Sequence, residues 1–242
     1  RMHLWVTRPI EDAAGLRAQL IAQGHEVTTE ALLGIEYFRD ETIDLEDAQA
    51  LIATSRNALR ALKGHPAEDA CKTVPIFVVG RATARLAEEM GFETVIEGPS
   101  TARALLGLIL NAAEVNDGVL LHLSAENVAY NLCEELRRLG YHVFQPILYR
   151  SQPVEVLSET LQRNLSSGRI DGVLLLSGRT AEAYATAMIK HGLLQAARNL
   201  THFCLSDAVA AKLSPLQPVT VKISAAPNLD EMLAMTASSA AK

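Results

Sequence analysis

Residues 4–27 read LWVTRPIEDAAGLRAQLIAQGHEV, and residues 120–143 read LLHLSAENVAYNLCEELRRLGYHV. Aligned without gaps, they share Leu4/Leu120, Ala13/Ala129, Leu16/Leu132, Leu20/Leu136, Gly24/Gly140 and Val27/Val143. These are structural positions. A strand ends, a helix carries leucines four apart on its inner face, and a glycine stops that helix before the next strand. A second pair follows in LIATSRNALRAL (51–62) and LLLSGRTAEAYA (174–185), with Arg56 falling on Arg179. A third is VVGRATARLAEEM (78–90) against CLSDAVAAKLSPL (204–216). One leucine-rich match is easily accidental. Three in the same order indicate a chain written twice.

The repeat sets the fold class. Strands are expected near 3–7, 26–32, 50–54, 75–79, 93–96, 118–123, 142–149, 172–176, 202–205 and 219–223. Helices are expected at 11–23, 56–63, 82–90, 101–113, 127–139, 155–166, 179–190, 207–213 and 229–236. Such alternation implies parallel sheets covered by helices on both faces, here two sheets of about five strands. Two stretches, LLGIEYFRDETID (32–44) and FQPILYRSQPVEV (144–156), are extended, β-prone and tyrosine-bearing, as a chain crossing between domains would be. A linear cut near Asn116-Asp117 and an interleaved arrangement both fit the pattern.

Composition narrows the function classes. At 242 residues with 49% apolar content, the chain can build two cores. No apolar run is long enough to span a membrane, and the first residues carry no signal-peptide pattern. Three scattered cysteines outside any CxxC pattern fit reduced thiols in a cytoplasmic protein. A net charge of −6 opposes general nucleic-acid binding, which needs a basic face. The glycine motifs of phosphate and dinucleotide loops are missing, as is a GxSxG elbow, and the seven histidines lack metal-ligand spacing.

What remains is a set of strand-end turns: Thr7-Arg8-Pro9, Ser55-Arg56-Asn57, Gly80-Arg81-Ala82, Ser124-Ala125-Glu126, Ser177-Gly178-Arg179 and Ser206-Asp207-Ala208. In open α/β sheets ligands bind beyond the carboxyl ends of the strands, and helix N-termini there favour anions. Each hydroxyl taken singly reads as an ordinary N-cap. Arginines at four equivalent turns point instead to an anion-binding site for one large acidic ligand. An enzyme of this kind works mainly by holding a reactive substrate in shape.

The residues VTRP (6–9), TSRNA (54–58), VGRATA (79–84), GYHVFQPILYR (140–150) and LLLSGRTAEAY (174–184) resemble, in order and spacing, those of the uroporphyrinogen-III synthase family. The resemblance covers essentially the whole chain. It implies two flavodoxin-like parallel-sheet α/β domains joined by a two-stranded β-ladder. One domain comprises 1–34 with 153–242 and the other 40–146, with crossings at 35–39 and 147–152. It also implies a cofactor-free, metal-free cyclising lyase of tetrapyrrole biosynthesis, a cytoplasmic monomer that acts on hydroxymethylbilane handed over by hydroxymethylbilane synthase. Tyr149 corresponds to the family's interdomain tyrosine, which assists departure of the substrate hydroxyl. The implied substrate-binding residues are Thr7, Arg8, Ser55, Arg56, Asn57, Gly80, Arg81, Thr83, Ser124, Ser177, Gly178, Arg179 and Ser206. Two positions depart from the pattern. Val209 stands where many members carry the second copy's threonine, and Glu126 would repel carboxylates. A non-catalytic, two-lobed paralogue that binds a tetrapyrrole or another polyacid is the alternative. A receiver-like signalling domain is disfavoured because the first strand ends in Thr7-Arg8 rather than aspartates.

Overall fold

The computed structural model describes residues 1–99, 101–128 and 130–240. In chain order its elements begin β1 (His3–Val6), α1 (Ile10–Ala22), β2 (Glu26–Thr29), β3 (Leu33–Tyr37), β4 (Ala48–Ala53) and α2 (Arg56–Leu62). Next come α3 (Glu68–Cys71), β5 (Ile76–Val79), α4 (Gly80–Met90), β6 (Val95–Gly98), α5 (Ala102–Ala112) and β7 (Val119–His122). They continue with β8 (Ser124–Ala125), α6 (Leu132–Arg138), β9 (Val143–Phe144), β10 (Ile147–Pro153), α7 (Glu159–Ser166) and β11 (Gly172–Leu175). The last are α8 (Gly178–Lys190), α9 (Leu194–Asn199), β12 (Thr201–Cys204), α10 (Asp207–Ala211), β13 (Thr220–Ile223) and α11 (Leu229–Ala240). The chain forms two compact units, Arg1–Gly34 with Gln152–Lys242, and Ile35–Ser151.

In the first unit the sheet order is β13-β12-β11-β1-β2, and every pair is parallel. Counted by appearance, this is the flavodoxin order 2-1-3-4-5. In the second unit the order is β6-β5-β4-β7-β9, again all parallel. Counted the same way it reads 3-2-1-4-5, which looks like a different fold. The repeats resolve the difference. They lay β1 on β7, β2 on β9, β11 on β4 and β12 on β5, so equivalent strands hold equivalent places. The two sheets share one plan, and the second carries it circularly permuted.

The central strands of each sheet are largely apolar and buried, with alternate residues facing opposite cores. In β1, Leu4 and Val6 enter the cluster that contains α1 residues Ala13, Leu16 and Leu20, while Trp5 enters the opposite cluster with Tyr184 and Met188. In β4, Leu51 and Ala53 pack with Leu59 and Leu62, whereas Ala50 and Ile52 pack with Leu105 and Leu136. The glycine stop is also repeated. Gly24 and Gly140 lie at φ 88° and 94°, where a side chain is strained. His25 N–H donates to the Leu20 carbonyl and Tyr141 N–H to that of Leu136, both at 3.1 Å, closing the same helix-end motif twice.

Several elements differ from the sequence expectation. The extended stretches contain β3 and β10, which form a three-stranded sheet with β8 in the order β3-β10-β8. Phe38 N–H donates to the Leu148 carbonyl at 2.7 Å, and Val154 N–H to that of Leu32 at 3.0 Å. The single strand expected over 142–149 is two strands, broken at Gln145-Pro146 because proline has no N–H for a ladder. The helix expected from 127 begins at Leu132, where Asn131 caps it by accepting from Glu134 N–H. Ala129, part of that expectation, lies outside the described residues. The helix expected from 155 begins at Glu159, capped by Ser158. Helices α3 and α9 were not anticipated, being only four and six residues long.

Candidate active site

The switch point of the second unit, where the strand order reverses, lies between β4 and β7. A cavity of about 490 Å³ opens there, lined by Thr54, Thr101, Ala102, Arg103, His122, Ala125, Asn127, Val128, Tyr130 and Tyr149. Among these, Arg103 is the one side chain with a permanent charge.

Tyr149 is placed by β10, whose parallel pairing with β8 sets it beside Ala125. Its ring packs in the core with Leu51, Leu59 and Leu148, so it is buried. Its hydroxyl donates to Ser55 Oγ at 3.1 Å. Burial pushes the phenol pKa up, the Ser55 hydrogen bond offsets part of that, and Tyr37 adds to it. Tyr149 therefore stays a protonated donor. Ser55 caps α2, accepting from Asn57 N–H at 3.0 Å. Asn57 Oδ1 in turn accepts from Arg60 at 3.0 Å and from the Tyr37 hydroxyl at 3.4 Å. Arg56 is half-buried and has partners within the protein. Thus Ser55 and Asn57 hold the turn together and support the phenol.

His122, in the cavity lining, is 2% exposed. Its Nδ1 lies 3.1 Å from Cys133 Sγ and its Nε2 3.5 Å from Thr54 Oγ1. Burial lowers the imidazole pKa to about 4 and raises the Cys133 thiol to about 11, so both are neutral near pH 7.

The remaining candidates divide by environment. Gly80, at φ 78°, opens α4, and Thr83 is buried in its first turn. Arg81 is exposed and lies 3.6 Å from Glu97. Ser124 is buried; its hydroxyl donates to the Ala125 carbonyl at 3.2 Å and accepts from Gln145 at 3.0 Å. Glu126 is exposed, and its N–H donates to the Tyr149 carbonyl at 2.9 Å. Arg150 is held by Glu36 at 2.6 Å.

In the first unit the switch point lies between β1 and β11. Thr7 ties these strands by donating to the Leu174 carbonyl at 2.7 Å, and it is buried. Ser177 caps α8, accepting from Thr180 N–H at 3.1 Å and donating to Thr180 Oγ1 at 2.9 Å. Gly178 opens α8, and Arg179 next to it is exposed. Ser206 caps α10 through Val209 N–H at 3.3 Å. Arg8 and Arg179 each have partners within the protein. Val209 is buried like Thr83, its counterpart, and Asp207 stands where Arg81 does, so this turn loses a cation as well as a hydroxyl.

Sequence reasoning missed Thr101, Arg103, His122 and Tyr130. Thr101-Ala102-Arg103 carries the same cap-then-arginine pattern as Ser55-Arg56, with Thr101 accepting from Ala104 N–H at 3.1 Å. It lay outside the three matched repeat units, which is why it drew no notice. Among the described residues no group of three or more His, Cys, Asp or Glu could hold a metal ion, and no helix is long and apolar enough to cross a membrane.

The family model of uroporphyrinogen-III synthase HemD matches residues 14–234. The chain belongs to the uroporphyrinogen-III synthase family. A solved uroporphyrinogen-III synthetase from Helicobacter pylori shares 18% identity at a TM-score of 0.66, covering 98% of this chain and 99% of that one. A mutant uroporphyrinogen III synthase from Thermus thermophilus shares 16% at a TM-score of 0.55, covering 97% of each chain. At such identities the likeness shows the family fold across the full chain. No curated protein is a match.

Proposed function

We propose that the protein is a uroporphyrinogen-III synthase that closes hydroxymethylbilane, with inversion of the terminal pyrrole ring and loss of water. Tyr149 carries the reading: a buried, protonated phenol in the wall of a cavity at a sheet switch point. The terminal hydroxymethyl C–O bond breaks as the hydroxyl takes a proton and leaves as water. Electron density from the pyrrole nitrogen leaves an electrophilic azafulvene, so a weak acid is enough. Attack through a spiro intermediate inverts the last ring before closure. Tyr149 is the donor to the departing hydroxyl, its O–H turning from Ser55 Oγ to the substrate oxygen when the bilane is bound.

Free hydroxymethylbilane closes without inversion, so the protein's main task is to hold the bilane in the folded shape that inverts. The substrate's eight carboxylates match the arginines and helix N-termini at the strand ends of each unit. The enzyme works as a cytoplasmic monomer and receives its unstable substrate from hydroxymethylbilane synthase. Consumption of freshly made hydroxymethylbilane should rise in proportion to added protein. Consumption indifferent to the protein would remove the reading.

A further inference from the structure

The geometry points to Arg103, stacked on Tyr130, as the residue that binds a carboxylate of the pyrrole ring lying against Tyr149. This rests on the proposed function. Arg103 sits in the first turn of α5, and Tyr130 immediately precedes Asn131, the cap of α6. Both helices pack in one core through Leu105, Ile109, Leu132 and Leu136, which fixes their adjacent ends. The Arg103 guanidinium carbon lies 5.4 Å from the Tyr130 ring centroid. Stacking of this kind holds the guanidinium plane while its edge N–H groups remain available for two-point contact with a carboxylate.

Three observations make the cavity a ring-sized acid site. Its volume of about 490 Å³ suits one substituted pyrrole ring rather than a four-ring chain. Among the described lining residues Arg103 supplies the one permanent charge, and none is acidic. Thr54, His122 and Tyr149 add neutral, hydrogen-bonding groups to the lining. By contrast, Arg81 already lies beside Glu97, so a ligand carboxylate there must displace one. Arg103 therefore locates the ring, and Tyr149 reacts at it. Tyr130 is a positioning residue that acts through Arg103.

The test joins kinetics to binding that needs no turnover. Arg103→Ala should raise KM for hydroxymethylbilane about tenfold, equal to about 1.4 kcal/mol, with kcat little changed and a shallower rise of KM with salt. Arg103→Lys should recover only part, because it keeps the charge and loses the planar fork. Tyr130→Phe should behave as the parent and Tyr130→Leu should drift toward Arg103→Ala, each at a similar melting temperature. Porphobilinogen, a single pyrrole with acetate and propionate arms, is the second probe. Followed by NMR, its Kd should rise about tenfold in Arg103→Ala. An Arg103→Ala protein that keeps the parent KM, salt response and porphobilinogen affinity would overturn the assignment while leaving the proposed function standing. A parent protein without turnover whose porphobilinogen binding still depends on Arg103 would instead overturn the function and keep the site.

Discussion

Tyr149→Phe should slow ring closure by up to about 10²–10⁴-fold, the range of a positioned general acid, while isomer III remains the product. The variant removes one proton donor and little else. The phenylalanine ring keeps its packing against Leu51, Leu59 and Leu148. Ser55 keeps its capping bond from Asn57 N–H, so α2 keeps its start. The lost Tyr149–Ser55 bond costs about 0.5–1.5 kcal/mol of stability. Ring inversion depends on the shape of the bound bilane, to which one hydroxyl adds little. Because burial raises the phenol pKa, any loss of the parent rate from phenol ionisation should set in at higher pH than for a free tyrosine. An unchanged rate in Tyr149→Phe would return the tyrosine to a packing role. A slow variant that makes mostly isomer I would show that the phenol steers geometry.

Acid should weaken the fold through His122 by about 3 kcal/mol, since each pKa unit is worth about 1.36 kcal/mol. Its pKa is near 6.5 in the unfolded chain and about 4 in the fold, where desolvation opposes the charge. Between these values the unfolded chain binds the extra proton and the fold does not. The contribution is therefore complete above pH 6.5, is lost as pH falls toward 4, and changes no further below. Burial also lowers the pKa values of His25 and His202, which add to the parent's slope. The informative quantity is thus the difference between the parent and His122→Gln. Denaturant titrations from pH 7 to pH 4 should show the variant losing less stability than the parent over that window. Parallel curves would mean that His122 is protonated at little cost.

The sheets were legible because burial on both faces writes itself as unbroken apolar runs, as in Leu51–Ala53 and Val173–Leu175. The doubled helix end at Gly24 and Gly140 was legible because left-handed backbone requires glycine. Strand β3 was legible only as part of an extended, β-prone stretch: Leu33, Ile35 and Tyr37 alternate, but none of its residues is fully buried, so its bounds were not marked. Strand β8 spans two residues and is defined by its pairing with β10. The circular permutation was hidden for another reason. Strand order is set by which edges pair, and no local pattern encodes it.

At the site, Ser55, Ser177 and Ser206 showed in sequence as cap-forming serines, and each caps a helix. Their other partners were not readable, because Tyr149 and Ser55 meet across 94 residues of chain. Arg103 escaped notice since its value comes from Tyr130 and from the cavity, both tertiary facts.

The most direct measurement is the isomer ratio that the unaltered protein makes from freshly prepared hydroxymethylbilane, resolved by chromatography after oxidation to porphyrins. Isomer III should predominate, in proportion to protein, over the isomer I that forms without it. Isomer I alone, at its spontaneous rate, would contradict the assignment of this chain as the enzyme that inverts the last ring.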